Sequence, residues 1–439
     1  VDKFKQIITA RRISLGFILL VAGLIYVSTL IPQKIDSTPG KVETWRLAHP
    51  EILWLIDSAN LHQIYGQPWF SATMLLSALA MGISSFDQLL LARKRLYSGG
   101  SVTGKEVASA VAEQVLRTVA RACHYRPLQT GPRDQLKFVR NPWGYFGSLL
   151  LHLGMTLVII ASLYVSLTGR QGALIMVEGE QRTRQQPWDI TEQGALVKPL
   201  ELPGTIRLDK VRVRFDNKNQ PEEVSSDLTI TDETGRVDTL TASINRIPSY
   251  RGMRIYHASQ YGTAFTVEFT DSSGNAHVER ILAQHPVNLT TAGYSDEFGV
   301  NWSPYLFAAK YYADAEQKSM LNGSPQLTIR MLDGKRELAR TALPPGRSVP
   351  LGEYRLRLVE AEKWAKLIIV DNRGMPVVFA GFAIIMLGGL LHYLLPPREL
   401  IGIRQQDGSY RVSWKATSFA DFFAEERDRL ATKLREGKG

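Results

Sequence analysis

Two histidines stand where ionisable residues are rare. His152 lies inside a long apolar run, residues 143–167, and His392 lies three residues before the end of another, residues 376–395. An ionisable side chain within a bilayer is costly and is a functional candidate by default. His152 follows Trp143 by nine residues, about 13 Å along a helix, which puts it inside the membrane towards the cytoplasmic half. An imidazole there requires a polar partner or a metal, and neutral imidazole is a common axial ligand to haem iron. His392 could pair with His152 across a helix bundle, since both fall in the inner half, or it could reach headgroups with Tyr393 beside it. His49, His62, His124, His257, His277 and His285 lie in loops or β segments without metal-ligand spacing. Of these His257 stands out, in Tyr-His-Ala-Ser-Gln-Tyr-Gly beside an aromatic-rich strand.

Other chemistry is excluded. The single cysteine, Cys123, rules out an internal disulfide, a CxxC redox pair and a Cys-cluster zinc site, and there is no CxxCH for covalent haem. The pairs Glu222–Glu223 and Glu425–Glu426 are adjacent and do not face each other. No nucleophile elbow, Walker loop, HExxH or dinucleotide glycine motif appears in context. The sequence therefore assigns no catalytic residue.

The elements that must position these histidines are membrane spans. A bilayer core takes about 20 apolar residues as a helix, and four runs qualify: 13–31, 68–86, 143–167 and 376–395. The first has no small-x-small cleavage site after it and reads as a retained anchor. Asp87, ending the second, has Arg93 within about two helical turns for an interfacial ion pair. Lysine and arginine near the span ends set orientation. The loop after the second run carries ten basic residues, among them Arg93, Lys94, Arg95, Arg121, Arg126 and Arg140, against Glu106, Glu113 and Asp134, or +7. The loop 32–67 is close to neutral. If all four runs cross, every basic segment lies on one side, so both termini and the 92–142 loop are cytoplasmic. The formal charge of +10 is then a matter of topology, and nucleic-acid binding is not expected.

The predicted fold class is a polytopic α-helical membrane protein of the cytoplasmic membrane. It has four transmembrane helices and a large β-rich, sandwich-like extracytoplasmic domain between helices three and four. Residues 1–168 form a membrane module with three spans and a basic cytoplasmic loop. Residues 169–372 form the β-rich domain, 373–397 the fourth span, and 398–439 a cytoplasmic tail. In the β-rich part, 205–215 (TIRLDKVRVRF) alternates at period two, with further strand-like runs at 227–231, 239–244, 264–269, 326–331 and 354–360. In the cytoplasmic loop, 104–121 reads as a short amphipathic helix with Val107, Val111, Val115 and Val119 on one face. The tail reads as another, N-capped by Ser418, with Phe419, Phe422, Phe423, Leu430 and Leu434 at helical spacing, lying on the membrane or on the loop.

With this layout in view, local motifs resemble the ResB (also CcsB) family of the system II cytochrome c maturation machinery, over most of the chain. Tyr26-Val-Ser-Thr-Leu-Ile-Pro-Gln33 resembles the end of that family's first helix, and Gln67-Pro-Trp-Phe70 the aromatic start of its second. Ser148-Leu-Leu-Leu-His-Leu-Gly154 is similar to its third-helix histidine motif. Asn245-Arg-Ile-Pro-Ser-Tyr-Arg-Gly252 and Ile255-Tyr-His-Ala-Ser-Gln-Tyr-Gly262 resemble its proline-tyrosine-glycine segment and following strand. The resemblance implies movement of haem b to the outer face together with a CcsA/ResC-like membrane partner, for attachment to apocytochrome c. It maps the third-helix haem ligand onto His152, with the opposite ligand in the partner, and makes this chain a haem-positioning half of a cytochrome c synthase. The alternative is a subunit of a respiratory electron-transfer complex, in which His152 and His392 hold a b-type haem within one chain or the protein scaffolds cytochromes.

Overall fold

The computed structural model describes residues 11–37, 39–97, 104–128, 134–186, 188–320, 324–334 and 336–437. Its helices are α1 (Arg11–Leu30), α2 (Pro39–Ala48), α3 (Leu53–Ala59), α4 (Pro68–Tyr97), α5 (Glu113–Ala122), α6 (Gly147–Thr168), α7 (Met375–Gly389) and α8 (Ala424–Glu436). Among the described residues, three stretches are long and apolar enough to cross a membrane: Pro68–Tyr97, Pro142–Thr168 and Met375–Leu394. The first apolar run is also helical, with Leu15–Leu30 as its shorter apolar stretch. A single 3-10 turn, Pro142–Phe146, leads into α6, and a π turn, Leu390–Leu394, ends the run that begins with α7. By chain contacts the molecule divides into two units, residues 1–23, 71–164 and 374–439 in one and residues 24–70 and 165–373 in the other.

In the first unit, α4, α6 and α7 are accompanied by a small α/β lobe. The loop after α4 and the tail after α7 build it together. Its five-stranded antiparallel sheet runs in the order Lys105–Val111, Tyr410–Ala416, Arg398–Arg404, Gln135–Arg140, Arg126–Leu128. Two central strands thus come from the tail and the others from the loop. Helices α5 and α8 supply Leu116, Leu430 and Leu434 to a core with Val111, Phe138, Leu400, Val412 and Trp414. This corrects the reading of 104–121 as one helix. Val107 and Val111 are buried on a strand, and only Val115 and Val119 lie on α5. The spacing was ambiguous because four residues is two periods of a strand as well as about one turn of a helix. The tail helix exists, but it begins at Ala424 after a left-handed Phe419 (φ 56°) rather than at a Ser418 cap. A buried polar group ties the lobe to the helices of the same unit. Lys137 donates to Arg95 O at 2.7 Å and lies 3.5 Å from Glu399, which also accepts from the Tyr145 hydroxyl.

The second unit is β-rich. Two 18-residue strands, Met253–Thr270 and Tyr354–Asp371, pair along their length at the centre of a seven-stranded sheet. At about 3.3 Å per residue each is some 60 Å long, too long for one sandwich, and two cores share it. Over one half lies a four-stranded sheet that includes Thr205–Phe215 and Pro221–Thr231, enclosing Met176, Ile206, Leu208, Ile230, Ile255 and Leu367. Over the other lies a five-stranded sheet that includes Ser303–Tyr312 and Gln326–Asp333, enclosing Phe265, Phe269, Phe307, Ile329, Met331 and Leu356. A shift of register between His257 and Tyr261 interrupts the central pairing. The predicted strand runs all fall within or across observed strands. The nearly neutral 32–67 loop is ordered by α2, α3 and the 3-10 segment Leu61–Gly66.

Candidate functional site

The geometry around His152 follows from two stripes on α6. Along one, glycines let α7 approach closely. A Cβ added to Gly147 would meet His392 N at 2.6 Å, one on Gly154 would meet Ile385 Cγ1 at 2.7 Å, and one on Gly388 would meet Leu151 N at 2.5 Å. Gly381 is equally crowded, since a Cβ there would lie 2.6 Å from Val158 Cγ2. Gly147 and Gly154 are seven apart, as are Gly381 and Gly388, the small-residue spacing by which apolar helices pack where lipid offers no hydrophobic drive. This stripe had a signal in the sequence, glycines at matched spacing in two apolar runs, that histidine-centred reasoning passed over.

The second stripe, Ser148, His152 and Thr156 at four-residue spacing, faces α4. Ser148 Oγ donates to Gln88 Oε1 at 3.0 Å, and the hydroxyls of Thr156 and Ser85 meet at 2.9 Å. His152 lies between these two contacts, half-buried. Its Nδ1 is 2.8 Å from Ser148 O. A carbonyl oxygen only accepts, so Nδ1 carries the proton in this bond, and the neutral ring then has its lone pair on Nε2. Among the described residues Nε2 has no hydrogen-bond partner. A backbone carbonyl holding one ring nitrogen while the other stays open is the arrangement that orients a metal-ligating histidine.

His392 lies in the π turn, with its ring against Tyr393 at 4.8 Å. Its main chain is what meets Gly147, on the stripe roughly 150° around α6 from His152. No ring contact or hydrogen bond joins the two histidines. His257 is buried in its strand, with Nδ1 2.7 Å from Ala258 O and Nε2 without a partner. Burial lowers its pKa, which favours the neutral ring. No group of three or more His, Cys, Asp or Glu side chains able to hold a metal ion occurs among the described residues. A bare ion would lack ligands at His152, whereas haem brings four nitrogens of its own and needs from a protein only one or two axial donors. The donor that His152 offers fits that requirement.

The other motifs of the sequence have structural duties in the second unit. Gln33 is buried. Its Nε2 donates to Ile31 O and Leu61 O, both at 3.0 Å, and its Oε1 accepts from Ile64 N at 3.4 Å. His62 Nδ1 bonds Pro32 O at 2.9 Å, and Ser28 Oγ lies 2.6 Å from the Tyr65 hydroxyl. The end of α1 is thereby latched to the 61–66 turn. Lys366, fully buried, donates to Ser37 O at 2.8 Å, and Gln260 Nε2 donates to Asp36 O at 2.7 Å, fastening the next residues to the long strands. Pro68 begins α4, and Trp69 Nε1 donates to Ala59 O at 3.0 Å.

A family model described as "ResB-like family" matches residues 11–349. The chain is also 23% identical over 406 residues to a cytochrome c biogenesis protein CcsB of Microcystis aeruginosa, covering 89% of this chain and 86% of that one. It is 23% identical over 446 residues to the protein of that name in Gloeobacter violaceus, covering 96% and 89%. A Synechococcus protein of the same name is 24% identical over 408 residues, covering 89% and 86%.

Proposed function

Because the chain belongs to the ResB-like family, we propose that it serves cytochrome c maturation by holding haem b within the membrane and passing it outward for attachment to apocytochrome c. Its relatives carry the name of cytochrome c biogenesis proteins, which supports this role. The observation that carries the finer reading is the open Nε2 of His152, with its tautomer set by Ser148 O. His152, presented from α6, would hold the haem iron through Nε2. Ser148 and Thr156 hold that face of α6 against α4, so the imidazole is oriented before any ligand arrives. The haem supplies iron for axial ligation and vinyl groups for thioether formation. The single cysteine here, Cys123, lies in the basic loop, so the thiols come from the apocytochrome and this chain positions rather than catalyses. A CcsA/ResC-like membrane partner would supply the other protein ligand. An intrachain pair with His392 has no supporting contact.

In this reading all four apolar helices cross the cytoplasmic membrane, both termini are cytoplasmic, and the β-rich unit lies outside. The distribution of lysine and arginine supports that orientation.

The test is His152→Gly in the chain copurified with its partner. Haem content and the reduced absorption spectrum should fall to background, c-type cytochromes should fail to assemble, and added imidazole should restore the spectrum. Unchanged haem content together with unchanged cytochrome assembly would refute the assignment.

A further inference from the structure

A second site lies in the α/β lobe, where the loop meets the start of the Pro142–Thr168 span. A cavity of about 530 Å³ opens there. Three guanidiniums line it, from Arg121, Arg126 and Arg140, with rings from His124, Tyr125 and Trp143, and no carboxylate is among the lining residues. Arg121 and Arg126 are exposed and form no ion pair among the described residues. Arg140 is placed from behind. Glu426 lies 3.3 Å from it and is itself held by the Tyr125 hydroxyl at 2.8 Å and by Arg398. Trp414 Nε1 donates to Tyr125 at 2.8 Å, so the wall is continuous with the core of the lobe. His124 occupies a left-handed position (φ 61°) just beyond the end of α5, where glycine is usual.

We propose that this cavity binds the phosphate of an anionic phospholipid, such as phosphatidylglycerol, in the cytoplasmic leaflet. Two guanidiniums without ion pairs among the described residues, Arg121 and Arg126, beside a third held by Glu426, favour an anion, and their planar forks suit phosphate oxygens. The position of the cavity at the start of an apolar span favours a lipid over a soluble anion. Its wall includes Pro142 and Trp143, the first residues of the apolar span, and Trp143 is 68% exposed. A tryptophan at that point marks the headgroup layer, and basic pockets beside spans on the cytoplasmic side accept anionic headgroups. A bound phosphate would neutralise part of the loop's +7 charge and fix the lobe at the membrane surface. None of this depends on haem at His152.

The experiment uses the full chain in mild detergent, titrated separately with phosphatidylglycerol, phosphatidylcholine, inorganic phosphate and haemin, with native mass spectrometry and thermal unfolding as readouts. Phosphatidylglycerol should be retained and should raise the unfolding midpoint. Arg121→Gln/Arg126→Gln should weaken retention by about tenfold or more while leaving the lipid-free midpoint in place. Arg126→Gln alone should lose part of it. Equal retention of phosphatidylcholine, binding of inorganic phosphate as tight as that of the lipid, or lipid retention unchanged in both variants would overturn the proposal. So would loss of haemin binding, rather than lipid retention, on the double substitution.

Discussion

At the scale of single residues, one hydrogen bond fixes the ring of the half-buried His152. The bond to Ser148 O satisfies Nδ1, which leaves Nε2 as the only lone pair the ring can offer. A second consequence of burial lies in the β-rich unit. Glu192, hydrogen-bonded by Gln171 at 2.7 Å, has its pKa pushed up to about 7 by burial, with Asp36 adding to the effect. Its folded pKa exceeds its unfolded value, so its contribution to stability is complete below about pH 4.5 and is lost as pH rises through about 7. Glu192→Gln should therefore match the parent in thermal unfolding near pH 5 and be more stable near pH 8. The gain should be on the order of 2 kcal/mol, reduced from the full shift because the carboxyl is partly exposed. An equal difference at both pH values would contradict this account. Lys366 carries the opposite shift, down to about 8 by burial. The protonated amine, which the bond to Ser37 O uses, is thus held at a cost that eases as pH rises above about 8.

At the scale of elements, the contact between α6 and α7 depends on absent side chains. Gly154→Leu would drive a methylene into Ile385 and into Gly381 O, 2.9 Å from the Cβ position, and backbone cannot yield as a side-chain end can. Overpacking of this kind costs about 1–3 kcal/mol, and the unfolding midpoint in detergent should fall accordingly. Gly16→Ala, on α1 with nothing within 4 Å of its Cβ position, is the matched control and should be neutral. Comparable loss in both would show that helix packing is not the cause. The apolar runs were legible because length and hydropathy alone define them, and the long strands because period two survives in TIRLDKVRVRF. The strands Arg398–Arg404 and Tyr410–Ala416 were not. Each is short, and each finds its partners in a distant loop, so no local pattern announces a sheet. One cue was available: Asp407-Gly408 between two alternating runs, with Gly408 at φ 82°, is a hairpin signal. His152 could be singled out as a candidate from its setting, whereas its hydrogen bond to Ser148 O and the stripe facing α4 needed the coordinates.

At the scale of the whole molecule, the α/β lobe is assembled from segments at both ends of the long β-rich insertion. Arg398–Arg404 lies between Gln135–Arg140 and Tyr410–Ala416, which in turn carries Lys105–Val111. A chain cut after Pro397 loses both central strands and α8. The remaining loop strands would then have no neighbours except the short pair Arg126–Leu128 and Gln135–Arg140. Limited proteolysis of the detergent-solubilised protein should cut residues 104–128 rapidly in the truncated protein and slowly in the full chain. Equal resistance would mean that the loop folds alone. The same arrangement sets a clock on biogenesis. Tyr145 and its acceptor Glu399 are 254 residues apart, so a ribosome adding about 5–20 residues per second needs roughly 13–50 s between them. For that interval the arginine-rich loop remains an unfinished sheet, and it closes only after the entire β-rich insertion has been synthesised. Closure of the lobe is therefore a late event, and it certifies that the rest of the chain has been made.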